Sequence, residues 1–445
     1  MNKPHIAVIG GGCAGLSAAA TLVDRGYQVT LFESSAQLGG RARTVPLANN
    51  SLMHLLDNGQ HILLGAYRET LALLDKIGVD EKQVFLRHPL QIKLQSTSGK
   101  TVFSLKSIPC LPAPFDVLMG LLSCKGLSFS ERISAIKLMA RIRRGKISQD
   151  KSLEGFLLEH KQSAKLNQML WEPLCLAALN TPIAIASTVT FFNVLNDSFS
   201  STRFSQQNKT SDFLLPKLDL SQIIAQPLAR YIQSKGGVIK RNRRIRSLVM
   251  DGNGFNLETR DGQSFFSHII IAVAPTNLGQ LIDKIPKLNN ALLATKSYLY
   301  QPIYTIYLQY PAETKMPSAM IGLSDSLGQW LFDRGQLCNQ HGLMAVIISA
   351  AGRHQLLSHD ALALKLTEEI KQAFPDMPKP LWHQVIAEKR ATFSCMPNLP
   401  RPHNKTLQEN LYLAGDYTYA DYPATIEGAV RSGIACANLI VGHSD

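Results

Sequence analysis

Gly10-Gly11-Gly12-Cys13-Ala14-Gly15 has the spacing G-x-G-x-x-G and stands directly behind a strand-sized apolar run, His5 to Ile9. Residues of this type at this spacing handle phosphate. Gly10 permits a tight turn, Gly12 lets the backbone approach a pyrophosphate, and Gly15 lets helix and strand pack closely. Cys13 and Ala14 open the helix that follows, whose N-terminus offers unpaired N–H groups and partial positive charge. Glu33 ends the next apolar run, 18 residues past Gly15, where a carboxylate accepts the hydroxyls of a ribose. A bare glycine hexamer is a weak signal. Strand, glycines, helix, strand and terminal acid in one register point to a dinucleotide.

Three further stretches carry a resemblance. Leu38-Gly39-Gly40-Arg41-Ala42-Arg43 sets a second glycine pair and two arginines just after Glu33, and Leu411 to Asp416 and Ile426 to Gly433 follow near the other end. Together they resemble the amine oxidase and phytoene desaturase superfamily. That resemblance implies non-covalent FAD, with Gly40 and Arg41 lining it, and Gly415 and Asp416 at the ribityl chain. Thr425 and Ile426 would start the helix beneath the flavin ring, and Ile245 would lie beside adenine. The positive end of that helix suits negative charge on a reduced flavin.

Asp57 to Tyr67, Trp171 to Pro182, and Ser211-Asp212 with Pro216, Asp219 and Leu220 are similar to stretches of the squalene-associated, FAD-dependent hydroxysqualene dehydroxylases. The resemblance implies reductive removal of the hydroxyl of hydroxysqualene, toward squalene and hopanoids. It also implies a triterpene alcohol as substrate and contact with the synthases preceding this step. Two other functions remain open: a carotenoid-type desaturase, and a non-catalytic prenyl carrier on the same fold. No second glycine fingerprint is present, so NADPH would act transiently at the flavin, or a redox partner would supply electrons.

His61 is the candidate catalytic acid, because departure of hydroxide as water needs a proton and imidazole titrates near neutrality. A histidine among apolar residues is equally a packing residue. Asp57, Asn180 and Asp197 could orient loops or cap turns, and Tyr417, Tyr419 and Tyr422 could form an aromatic wall or pack in the core.

The elements around these residues read as α/β. Strand, glycine turn, helix and strand cover residues 5–33, strands return from Gly236 to Ala274, and a strand and a helix close the chain. The expected architecture is a Rossmann-like FAD domain of the amine oxidase type with an inserted α+β substrate domain. Segments 1–95, 215–275 and 395–445 would form the first, and 96–214 with 276–394 the second, membrane-facing one. A chain of 445 residues, 45% hydrophobic and 18% charged, is too apolar for disorder and long enough for two cores.

The net charge of +13 favours anionic partners. Without aromatic interleaving or a known module, nucleic acid is discounted, and an anionic membrane surface is expected instead. Glu131 to Arg144 supplies the layout: Ala135, Leu138, Met139 and Ile142 form one stripe, with Lys137, Arg141 and Arg144 opposite and Arg132 and Arg143 at the margins. The apolar run Phe115 to Leu122 precedes it. A second basic cluster, Lys240 to Arg246, falls in a strand region. Seven cysteines without a C-x-x-C pair suit free thiols in a reducing compartment and no metal. The uncharged run Ile6 to Val23 is broken by glycines and reads as fold, not as a signal peptide. The expected location is cytoplasmic, peripheral at the inner face of the membrane.

Overall fold

Five short strands form a parallel sheet in the order Val238–Lys240, Gln28–Phe32, His5–Ile9, His268–Ile271, Leu411–Leu413. A computed structural model describes residues 4–49, 52–145, 147, 149–200 and 209–442 of the chain. Parallel strands covered on both faces are apolar along their length, and Ile6, Val8, Leu31, Ile269 and Ile271 are fully or nearly fully buried. The chain leaves His5–Ile9 toward Gln28–Phe32 on one side, while His268–Ile271 lies on the other. The carboxyl end of His5–Ile9 is therefore the switch point where such sheets open a crevice. Gly10 sits there.

The helix Cys13–Asp24 is pressed between this sheet and the long helix Ile426–Val441. The approach is close enough that a Cβ on Gly433 would stand 2.2 Å from the Ala14 carbonyl oxygen. Chain ends far apart in sequence thus share one core. Between them, Ser247–Asp251, Gly254–Thr259 and Gly262–Phe266 form an antiparallel meander whose turns fall at Gly252-Asn253 and Arg260-Asp261.

A seven-stranded mixed sheet makes the second layer, ordered Trp382–Phe393, Tyr300–Gln309, Leu343–Ser349, Trp330–Asp333, Met320–Ser324, Gln91–Ser96, Thr101–Lys106. Its side chains alternate between two cores. Tyr304, Ile306 and Leu308 meet the helix His359–Ala373, and Ile303 and Tyr307 meet the opposite side. Over that opposite side lie the helices Phe115–Leu122, Phe129–Arg144, Glu172–Leu179 and Thr188–Ser198. Two of the helical stretches contain a π turn, Asn167–Trp171 before Pro173 and Ser221–Ala225 before Pro227. Proline has no N–H for the carbonyl four residues back, and a widened turn accommodates that loss.

Three features differ from the sequence reading. Gln91–Ser96 pairs within the seven-stranded sheet, although the reading placed residues up to 95 with the FAD domain. The basic cluster Lys240 to Arg246 is loop beyond Lys240, and Arg243 pairs with Asp261. The third concerns Phe129–Arg144. Ser128 and Glu131 close a capping box at its start, and its apolar stripe faces inward: Ala135, Leu138, Met139 and Ile142 are at most 8% exposed. The stripe packs inside the domain, against the cluster that holds Val117, Leu121 and Phe156, and only the basic face is left outward. Val117 and Leu121 are buried too, so the outward apolar surface is Phe115, Met119 and Phe129. Lys137, Arg141 and Arg143 are exposed, Arg132 is taken up by the Leu122 and Leu127 carbonyls, and the Arg144 side chain lies outside the described residues. No described helix is long and apolar enough to cross a membrane.

Candidate active site

One cavity of about 860 Å³ joins the two layers. Gly10, Gly12, Cys13, Ala14, Glu33, Gly40, Arg41, Ile245, Gly415, Asp416, Thr425 and Ile426 all line it, as does His61. Gly15 stands behind the lining. A Cβ there would lie 1.9 Å from the Gly10 carbonyl oxygen, so Gly15 is fixed by packing. Gly10 has φ +115°, a backbone conformation that side chains disfavour.

The glycine loop has the form of a cradle. A Cβ on Gly12 would meet nothing nearer than the Gly40 Cα at 3.9 Å, so it would project into the cavity where a pyrophosphate would lie. The helix behind it has no side-chain cap and no acid in its first turn, which keeps its N–H groups and positive end available for phosphate. Glu33 is held at the sheet edge by the Gly11 N–H at 2.7 Å and the Ser35 N–H at 2.8 Å. The Tyr417 hydroxyl is buried without a partner and lines the same cavity. The residues present therefore fit FAD: Gly12 and Cys13 would face its phosphates, Glu33 its ribose, and Thr425 and Ile426 its ring.

Arg41 is fixed from two sides. It donates to Asp416 Oδ2 and to the Ala391 carbonyl, both at 2.6 Å, and Asp416 raises the guanidinium further above its ordinary range. Burial pushes the Cys13 thiol up to about 11, so it stays a neutral lining group.

The loop Asp57 to His61 hangs from the second layer. Tyr307 donates to the Asp57 carbonyl at 2.9 Å, and buried Arg334 donates to Gln60 Oε1 at 2.6 Å. The Asp57 side chain accepts from the Leu220 N–H at 3.0 Å, and burial pushes its carboxyl up to about 7 against the pull of Arg334. His61 Nδ1 lies 2.7 Å from the Gly59 carbonyl, which only accepts, so Nδ1 carries the proton. Burial lowers the imidazole from its ordinary value, with Arg41 acting the same way. The neutral ring then leaves Nε2 as an acceptor.

The other sequence candidates have structural occupations. Asn180 lines the cavity, and it also ends Glu172–Leu179 with φ +49° and ties together Pro302, Thr392 and Ala350. Asp197 accepts from Tyr422 at 2.7 Å, while Tyr419 and Tyr422 flank Arg431. Of the three tyrosines only Tyr417 lines the cavity. Sequence reasoning missed Asn58, Tyr300, Glu388 and Arg390, which also line it. The last two lie on a twelve-residue strand, Trp382–Phe393, whose sequence carries no motif.

Away from the cradle the lining is mainly apolar. The sheet contributes Ile92, Leu105, Ile303 and Trp330, and the helices contribute Leu118, Met139, Leu174 and Leu195. Arg143 is part of the same lining. Among the described residues no cluster of three His, Cys, Asp or Glu side chains is arranged to hold a metal.

The family model of flavin containing amine oxidoreductases matches residues 13–441. A hydroxysqualene dehydroxylase of Zymomonas mobilis is 27% identical over 463 residues, covering all of both chains. A 15-cis-phytoene desaturase of Solanum lycopersicum is 24% identical over 475 residues, covering 99% of this chain and 78% of its own. Among solved structures, an oxidoreductase from Methanosarcina mazei superposes with a TM-score of 0.75 at 14% identity, covering 98% of this chain and all of the other.

Proposed function

The chain belongs to the flavin containing amine oxidoreductases and is a flavin-dependent oxidoreductase, and from that premise we propose that it removes the hydroxyl of hydroxysqualene reductively to give squalene. The observation that carries this reading is the cavity itself. A polar dinucleotide cradle opens without interruption into an apolar chamber large enough for part of a polyprenyl chain, bounded on one side by Phe115–Leu122. Similarity at 27% over the full length to a hydroxysqualene dehydroxylase supports this substrate among water-insoluble polyprenyl compounds.

Bound FAD, once reduced, supplies a hydride to the carbon that loses its oxygen. This chain's residues do the rest. Gly12, Glu33, Arg41 and Asp416 hold the cofactor, and the apolar walls exclude water from a cation-like centre. The hydroxyl leaves as water, so His61 Nε2, an acceptor at rest, takes up a proton from solvent and passes it to the departing oxygen. NADPH reaches the flavin transiently, or a redox protein reduces it.

The substrate enters from an anionic membrane surface, through the lip formed by Phe115, Met119 and Arg143. The supporting observation is that exposed apolar and basic side chains adjoin residues lining the cavity. Anaerobic incubation of the reduced enzyme with hydroxysqualene, phytoene or an amine tests the function. Reoxidation by hydroxysqualene with formation of squalene is expected. Oxidised enzyme that is bleached by phytoene, and reduced enzyme inert to hydroxysqualene, would instead make this a desaturase, in keeping with its similarity to the tomato enzyme.

A further inference from the structure

Glu388 is a carboxylate on an apolar wall. The strand Trp382–Phe393 turns Ile386, Glu388, Arg390 and Thr392 to the cavity side, and Val385 and Ala387 to the other. Directly across the ladder from Glu388 stands Ile303, and neighbouring strands offer Ile347, Trp330 and Phe332 to the same space. A charge beside such side chains forfeits hydration and is kept only where something compensates.

What holds Glu388 links it to the cofactor cradle. Asn58 Nδ2 donates to Glu388 Oε2 at 3.2 Å, and the same amide reaches the Arg41 carbonyl at 3.4 Å. Arg41 in turn donates to the carbonyl of Ala391, three residues farther along the Glu388 strand. Cofactor arginine, asparagine and glutamate thus form one closed ring of contacts. Among the described residues no other hydrogen bond or ion pair reaches Glu388, although an ionised carboxylate accepts about four. Its remaining capacity faces the cavity. Arg41 makes its ion pair with Asp416 at 2.6 Å and feels the Glu388 charge only across space, without a bond to it.

The geometry points to Glu388 as the counter-charge for the cation-like carbon formed when the substrate hydroxyl leaves, with Asn58 as its positioning residue. This rests on the function proposed above. A fixed anion aimed where positive charge develops stabilises the transition state more than the neutral alcohol, and a site shielded from water strengthens the effect. His61 is neutral and Arg41 is cationic, so neither supplies this term.

The test uses farnesylamine, whose ammonium sits on an allylic carbon, and farnesol as its neutral counterpart. Binding to the FAD-loaded enzyme is followed by the fluorescence of Trp330 and Trp171, which line the cavity. The parent is expected to prefer the ammonium by about tenfold or more. Glu388→Gln should abolish the preference, leave farnesol affinity and flavin content unchanged, and lower single-turnover reoxidation by hydroxysqualene about a hundredfold. Glu388→Asp and Asn58→Ala should each retain part of the preference, and they serve if the glutamine variant fails to fold. A preference undiminished in Glu388→Gln, or in both other variants, overturns the assignment. So does a parent that turns over hydroxysqualene yet binds both probes equally. A parent that prefers the ammonium but ignores hydroxysqualene overturns the proposed reaction and leaves the Glu388 site standing.

Discussion

Glu33 accepts from the Gly11 and Ser35 N–H groups, so its carboxylate is pre-aimed before any ribose arrives. Replacing it with a cation that can only donate removes both the acceptor and the two hydrogen bonds that fix it. Glu33→Arg is expected to lose most of its flavin during purification, read from the absorbance of the purified protein; full flavin content would refute the assignment. Asp57 behaves differently, because its burial is uncompensated by an ion pair. Its folded value of about 7 lies above the ordinary value near 3.9, so the fold binds the proton more tightly than the unfolded chain. Its contribution is fully present below about pH 3.9 and is lost as pH rises through 7. Asp57→Asn keeps the acceptor for Leu220 and cannot ionise. It should gain up to about 4 kcal/mol over the parent by pH 8 in denaturant titration, with little difference at pH 4. An unchanged pH dependence would show that Asp57 ionises freely in the fold. The glycines and Glu33 were legible in the sequence because a phosphate cradle constrains residue type at fixed spacing. Glu388 was not, since one carboxylate in a strand looks like any solvated acid until the wall opposite it is known.

Phe129–Arg144 shows what periodicity can and cannot deliver at the level of an element. The stripe at i, i+3, i+4 and i+7 established a helix with one apolar face, and helix and face are both there. Sequence period does not say whether that face meets lipid or protein, and here protein claimed it. The surface left for a bilayer is smaller: Phe115, Met119 and Phe129, with Lys137, Arg141 and Arg143 nearby in sequence. Each basic group close to an anionic surface adds about 1 kcal/mol, screened by salt. Changing Lys137, Arg141, Arg143 and Arg144 to glutamine should weaken co-sedimentation with anionic vesicles at low salt and leave neutral vesicles unaffected. Adding Phe115→Ser and Met119→Ser should weaken both. Vesicle binding equal to the parent in all variants would return this face to ordinary solvent.

Across the whole molecule, the parallel sheet was legible from its ends, where Gly10 to Glu33 and Leu411 to Asp416 carry recognisable spacing. The seven-stranded sheet was not, because Gln91–Ser96 joins Met320–Ser324 across more than two hundred residues, and pairing at that range leaves no local mark. The cofactor ties these pieces together: FAD bound at a hundred times its dissociation constant adds about 2.7 kcal/mol, so deflavination should lower the melting temperature and flavin return should restore it. The contact of Gly433 with Ala14 carries a consequence for biosynthesis. The phosphate-binding half of the cradle emerges from the ribosome about four hundred residues before the helix that braces it and the residues meant for the flavin ring. Nascent chains that stop before about residue 430 would therefore present an open half-site, and cofactor would lodge only once Ile426–Val441 is out of the tunnel. Stalled chains ending at 410 should remain flavin-free in the presence of excess FAD, whereas chains extended past 442 by a linker spanning the exit tunnel should take it up while still tethered.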